Sequence, residues 1–330
     1  MKLIKLSKII VAISCLPAVY SCNSNAKDAL PPVAELQLDN NNVELTVGAK
    51  TTVKIVSGNG SYKVSTSPAG IVEIMEKENE IGITGVKKGS ATITVTDGRG
   101  KSATIAAGVV EKKPLFREDF NGTAIDEKTW IIGTWYEHGG QLARERCFVE
   151  DGYLNLLLLN DNGKILSSAI QTRAEFLHGK WEARLKPSSV PGVLNSFYTI
   201  DWGENADGTK QEIDIEFLTY TFGTNKGKVH FAVHAEGKKS FNLNPDIELG
   251  FDPSADFHVW GFNITPSQIE WFVDGKTLYI YKYAGNDVKI DTPYQLKLNH
   301  WTQADWINGP PKSRVMCKYL VDWIQFTPAD

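Results

Sequence analysis

Apolar and polar residues alternate with period two through most of this chain. Val43-Glu44-Leu45-Thr46-Val47, Thr52-Val53-Lys54-Ile55-Val56 and Ala91-Thr92-Ile93-Thr94-Val95 each put one face in a core and the other in water. Gly, Asn and Asp turns separate these runs, so residues 33–110 predict a small antiparallel β-sandwich. From Leu115 the runs lengthen and turn aromatic. Lys180-Trp181-Glu182-Ala183-Arg184-Leu185-Lys186 and Lys228-Val229-His230-Phe231-Ala232-Val233-His234 alternate cleanly, as does Gln268-Ile269-Glu270-Trp271-Phe272-Val273, which runs into an Asp274-Gly275 hairpin turn. No long amphipathic helix pattern interrupts them. The chain is therefore expected to be all-β, with Glu111-Lys112-Lys113-Pro114 linking the small sandwich to one large two-sheet sandwich over residues 115–330.

One run carries chemistry. In Gln211-Glu212-Ile213-Asp214-Ile215-Glu216-Phe217-Leu218, a strand places Glu212, Asp214 and Glu216 on one face and buries Ile213 and Ile215 on the other. A helix would turn Asp214 away from the two glutamates, but the period and the isoleucines favour a strand. Three aligned carboxyls repel one another, which holds at least one proton on the group. Glycoside hydrolysis uses such a set: one carboxylate attacks the anomeric carbon while a protonated carboxyl releases the leaving oxygen. Retention of configuration needs those two groups about 5–5.5 Å apart, whereas positions four apart on a flat strand are roughly 13 Å apart. The strand must therefore be concave. A solvated edge strand with its acids facing water is the plain alternative.

Composition narrows the setting. A net charge of −4 with no basic cluster argues against nucleic acid as a partner; the row of acids points instead to a polysaccharide, with a monomer expected to act on it. Nine Trp and eleven Tyr, most of them late in the chain, suit stacking on sugar rings or simply a core. The basic start Met1-Lys2-Leu3-Ile4-Lys5 runs into apolar residues from Ile9 to Tyr20, too short to span a bilayer and readable as a secretory signal. Val19-Tyr20-Ser21-Cys22 resembles a bacterial lipobox, which implies a signal over residues 1–21, lipid on Cys22 and a tether over 22–32. The protein would then sit in the cell envelope, at the outer surface or the periplasmic face, with plain secretion as the alternative. Cys147 and Cys317 remain for the folded part, either paired or as two separate buried thiols.

Two family resemblances follow from the motifs. Leu45-Thr46-Val47-Gly48 and Val86-Lys87-Lys88-Gly89-Ser90-Ala91-Thr92 resemble a bacterial immunoglobulin-like module, expected here as a spacer. The acid motif resembles that of glycoside hydrolase family 16, whose curved jelly-roll enzymes are endo-acting and retaining, in the uninterrupted form of lichenases and xyloglucan transglycosylases. Gly179-Lys180-Trp181-Glu182 before it, and Gly250-Phe251-Asp252-Pro253, Trp271-Phe272-Val273-Asp274-Gly275 and Leu298-Asn299-His300-Trp301 after it, match the family in order.

The resemblance implies Glu212 as nucleophile, Glu216 as acid/base and Asp214 between them tuning their protonation. It implies Asn299 and Trp301 as sugar contacts, with Trp306, Tyr198 and Trp202 as further candidates that could equally be core. His230 and His234 share the next strand, where lichenases and transglycosylases carry a Gln and an aromatic; they either meet substrate or serve the fold. Ala169 and Gln171 stand where lichenases have a glutamate and an arginine, and Lys210 replaces a tryptophan. Gln171-Thr172-Arg173-Ala174-Glu175 looks closer to the transglycosylases, but their C-terminal extension is missing. No cofactor is needed for catalysis. A structural calcium at Asp322, with a carbonyl from Gly152, is implied by the family. The expected activity is hydrolysis of a linear β-1,3-1,4-glucan; transglycosylation or another β-glycan, and a non-catalytic glycan-binding protein, are the alternatives.

Overall fold

The computed structural model describes residues 32–137, 140–201, 210–223, 226–235, 241–242, 246–286 and 288–329. Cys22 and Trp202 lie outside the described residues. The chain divides between Val110 and Glu111 into two compact units.

The first unit is a sandwich of two four-stranded sheets. One sheet orders Gln37–Leu38, Lys50–Ser57, Glu80–Gly85 and Val72–Lys77; the other orders Asn42–Thr46, Ser102–Val110, Gly89–Thr96 and Lys63–Ser67. Alternation does the folding here, since the inward positions Val53, Ile81, Ile83, Ile93, Val95 and Ile105 are all buried. Asn42–Thr46 runs parallel to Ser102–Val110, a pairing that local pattern does not announce.

The second unit packs two larger sheets face to face. In one, Lys164–Thr172, Gln295–Trp301, Leu194–Asp201, Gln211–Leu218 and Lys228–Ala235 lie side by side, all antiparallel. In the other, Tyr153–Asp161, Val315–Pro328, Gly179–Lys186, His258–Ile264, Gln268–Val273 and Lys276–Lys282 follow one another. Aromatic side chains from the two sheets interlock between them. Phe217 meets Trp260 edge-on at 4.8 Å, Phe197 meets Phe262 at 5.2 Å, and Phe231 stacks on Trp271 at 5.1 Å. Within the second of these sheets Gly261 has no room for a side chain, because the neighbouring strands close on it: a Cβ there would lie 2.3 Å from the Trp181 carbonyl oxygen and 2.3 Å from the ring of Phe272, its cross-strand partner.

Cys147 and Cys317 are both buried and both free thiols, which decides between the two readings left open for them.

Candidate active site

The acid strand Gln211–Leu218 is central, paired on both sides over its full length by Leu194–Asp201 and Lys228–Ala235. It is not the exposed edge that the plain alternative required. Ile213, Ile215 and Phe217 have no exposure and form the core. Behind them Trp271 donates its indole N–H to the Asp214 carbonyl at 3.1 Å, which ties the acid strand to the opposite sheet. At its start, Gln211 and Asp291 exchange two hydrogen bonds of 2.9 and 3.0 Å.

The other face is a grid set by strand register, because residues directly opposite in an antiparallel sheet point the same way. Glu212 stands between Ile200 and His234, Asp214 between Tyr198 and Ala232, and Glu216 between Ser196 and His230. One strand further, Tyr198 is opposite Lys297 and Ser196 is opposite Asn299. Beyond that, Lys297 faces Gln171 and Asn299 faces Ala169. Glu212, Asp214, Glu216, His230, His234, Tyr198, Asn299, Trp301 and Trp306 line one cavity of about 540 Å³.

Each acid has a distinct environment. Burial pushes the Glu216 carboxyl up to about 8, with the negative charges of Glu212 and Asp246 adding to it. Burial also holds Asp214 well above the carboxylate range, with Glu212 and Glu216 adding and Lys210 opposing. Glu212 instead has the Lys210 ammonium 3.3 Å away. The row therefore combines two carboxyls inclined to keep protons with a third whose negative charge has a cation beside it.

Basic groups follow the row of acids. His234 is opposite Glu212, but its Nε2 lies 3.4 Å from Asp214 Oδ2, and burial depresses its basicity while Glu212 opposes that. His230 is fixed through Nδ1 by Asp246 at 2.6 Å and meets Trp306 edge-on at 5.5 Å. Asn299 Nδ2 lies 3.3 Å from the Tyr198 hydroxyl. Trp301 has two roles to fill, since it lines the cavity and also packs with Leu194, Leu218 and Ile307.

A family model for glycosyl hydrolases family 16 matches residues 140–325, more than half of the chain. The chain belongs to glycosyl hydrolase family 16. This family 16 enzyme is 30% identical to the beta-glucanase of Paenibacillus polymyxa over 239 residues, covering 68% of its own length and 91% of the relative. It is 32% identical to the Bacillus licheniformis beta-glucanase over 158 residues, covering 46% of itself and 58% of that protein. Among solved structures, a prokaryotic β-1,3-1,4-glucanase from a mouse hindgut metagenome aligns with a TM-score of 0.53 at 26% identity, covering 65% of this chain and 99% of that one. The laminarinase catalytic domain of Thermotoga maritima aligns at 0.57 and 22% identity, covering 67% and 100%, a likeness of fold. The curved jelly roll anticipated from the motifs is thus the fold of the second unit.

The carboxylate implied for calcium, Asp322, already has a cation beside it. Leu154 pairs with Val321, so the turn holding Gly152 and the Asp322 carboxylate come to the same end of adjacent strands. Arg184, however, already places its Nη1 2.5 Å from Asp322 and its guanidinium over Phe257 at 4.8 Å. Among the described residues no group of three or more His, Cys, Asp or Glu side chains could hold a metal ion.

Sequence reasoning missed Gln303, which also lines the cavity, Asp246, which holds His230, and the pair of Lys297 with Glu137, whose Oε2 lies 2.8 Å from the Lys297 ammonium. Lys297 was reachable, because it precedes Asn299 and Trp301 by two and four positions and so shares their face. Glu137 and Asp246 arrive from outside the five central strands, which no local period could indicate.

Proposed function

We propose that this family 16 enzyme is an endo-acting, retaining β-glucanase whose substrate is a linear β-1,3-1,4-glucan. The observation that carries the reading is the pairing of a proton-holding Glu216 with Glu212 in one cavity. Glu212, with Lys210 at 3.3 Å, attacks the anomeric carbon. Glu216 gives its proton to the glycosidic oxygen as that bond breaks, leaving a covalent glycosyl-enzyme ester on Glu212. Glu216, now a carboxylate, takes a proton from water, and the water oxygen attacks the anomeric carbon from the face the leaving group vacated, opposite Glu212, which departs as a carboxylate. Two inversions give net retention. Asp214, buried between the two, keeps its own proton and so limits the charge in the row. Support for the glucan comes from beta-glucanases such as that of Paenibacillus polymyxa, 91% of which the chain covers.

Glu212→Gln is expected to abolish release of reducing ends from barley mixed-linkage β-glucan while leaving polysaccharide binding measurable. Full activity in that variant would overturn the assignment. Chromatography of the products at high substrate separates hydrolysis from transfer: oligosaccharides longer than the starting material would mark a transglycosylase.

We also infer that a signal over residues 1–21 directs the protein to the cell envelope, where Cys22 carries lipid and the first unit acts as a spacer. The polar residues after Cys22, ending in Pro31-Pro32, suit a tether.

A further inference from the structure

Lys297 has a side chain with no solvent exposure, yet it lies on the cleft face of its strand, between Tyr198 and Gln171. Removing an ammonium from water costs several kcal/mol in general, and a well-packed apolar residue would often serve stability as well or better. Stability is therefore a poor reason for the charge. Its partner is Glu137, in the short strand Tyr136–Glu137 that pairs with Gly140–Leu142. Lys297 Nζ is 2.8 Å from Glu137 Oε2, which also accepts the Trp135 indole N–H at 2.8 Å. Glu137 Oε1 lies 3.4 Å from Asn299 Nδ2, and the Lys297 ammonium sits 5.1 Å from the Trp135 ring centroid and 5.7 Å from that of Tyr198.

These contacts converge on one result, a tryptophan from outside the central strands fixed beside the cleft floor. Trp135 remains 37% exposed, so its indole is anchored at the nitrogen while part of its surface stays open. Asn299, which lines the cavity beside it, has a buried Oδ1 acceptor without a hydrogen-bond partner among the described residues. A sugar ring answers both features, because it has an apolar face to stack and hydroxyls to donate.

We propose that Glu137 and Lys297 form a clamp whose task is to hold Trp135 as a stacking platform for one sugar of the bound polysaccharide, with Asn299 accepting one of its hydroxyls. This subsite lies two strands beyond the acids, along the row Asp214, Tyr198, Lys297, Gln171. Glu137 and Lys297 are positioning residues, and Trp135 is the contact. The proposal rests on the polysaccharide reading of the cavity.

The test uses the full chain and barley mixed-linkage β-glucan. Trp135→Ala should raise KM about tenfold, the loss of one good stacking contact, with kcat within about twofold of wild type. Trp135→Phe should recover most of that loss. Lys297→Met, which keeps the volume and removes the charge, should raise KM similarly in a protein that still melts cooperatively, whereas a merely structural pair would change the melting temperature and leave KM alone. Should Lys297→Met not fold, Glu137→Gln replaces it in the same comparison. Unchanged KM in Trp135→Ala, or in the clamp variant while Trp135→Ala is impaired, overturns the proposal. A wild type inactive on barley glucan would sink the substrate reading instead. The platform is then read by gel retardation on laminarin, xyloglucan and hydroxyethylcellulose. Retardation of wild type but not of Trp135→Ala supports it; equal retardation, or none by any of them, overturns it.

Discussion

Glu216 shows how one residue's chemistry depends on its neighbours. Its carboxyl stands at about 8 against an ordinary 4.5, because burial and the charges of Glu212 and Asp246 penalise ionisation. A general acid must hold its proton, so activity should persist up to about pH 8 and fall above it. Asp246→Asn removes one of those charges and should move the alkaline limb of the kcat/KM profile to lower pH; a limb that stays put would contradict this account. The same shift affects stability. A carboxyl that is harder to ionise folded than unfolded costs nothing below about 4.5, costs progressively more as pH rises towards 8, and costs a constant amount above that. Buried Asp214, shifted the same way, adds the same sign. Melting temperatures should therefore show Glu216→Gln gaining on wild type between pH 5 and pH 9, not the reverse.

At the scale of elements, the acid strand is held by more than its ladders. Its apolar face meets Trp260 through Phe217, and Trp271 reaches across to bond the Asp214 carbonyl at 3.1 Å while stacking on Phe231. Trp271→Phe keeps an aromatic ring there and deletes the hydrogen bond. Denaturant titration should find the variant less stable by about 1 kcal/mol. Its kcat should fall more than its KM rises, because the backbone at the centre of the catalytic row loses its anchor; an unaltered kcat would show that the ladders alone fix the row.

The whole molecule separates a sandwich ending at Val110 from the cleft-bearing unit that begins at Glu111. The described residues lining the candidate active site all belong to the second unit, and that unit has its own aromatic core. Residues 111–330 expressed alone should fold in one cooperative transition and keep the kcat of the full chain on soluble glucan. A collapse of kcat would assign the first unit more than a spacing role. Replacing Cys22 by Ala should move the protein from the membrane fraction to the soluble fraction of its host with kcat unchanged; a protein that stays with the membrane would end the lipid-anchor reading.

Much of this was legible along the chain because strand chemistry is local. A period of two told which side chains share a face, so Glu212, Asp214 and Glu216, and likewise Asn299 and Trp301, could be grouped before any fold was known. Ordered motifs then supplied the family. Register and reach were decided only in three dimensions. Pairing of Tyr198 with Lys297 put a lysine on the cleft floor, and Glu137 came from a distant hairpin to neutralise it. The protons on Asp214 and Glu216 likewise follow from burial and from the charges around them, including Asp246, which lies well along the chain from the motif. Side-chain direction depends on adjacent residues, whereas electrostatic environment depends on everything within a few ångströms, and that neighbourhood exists only once the sheets have closed.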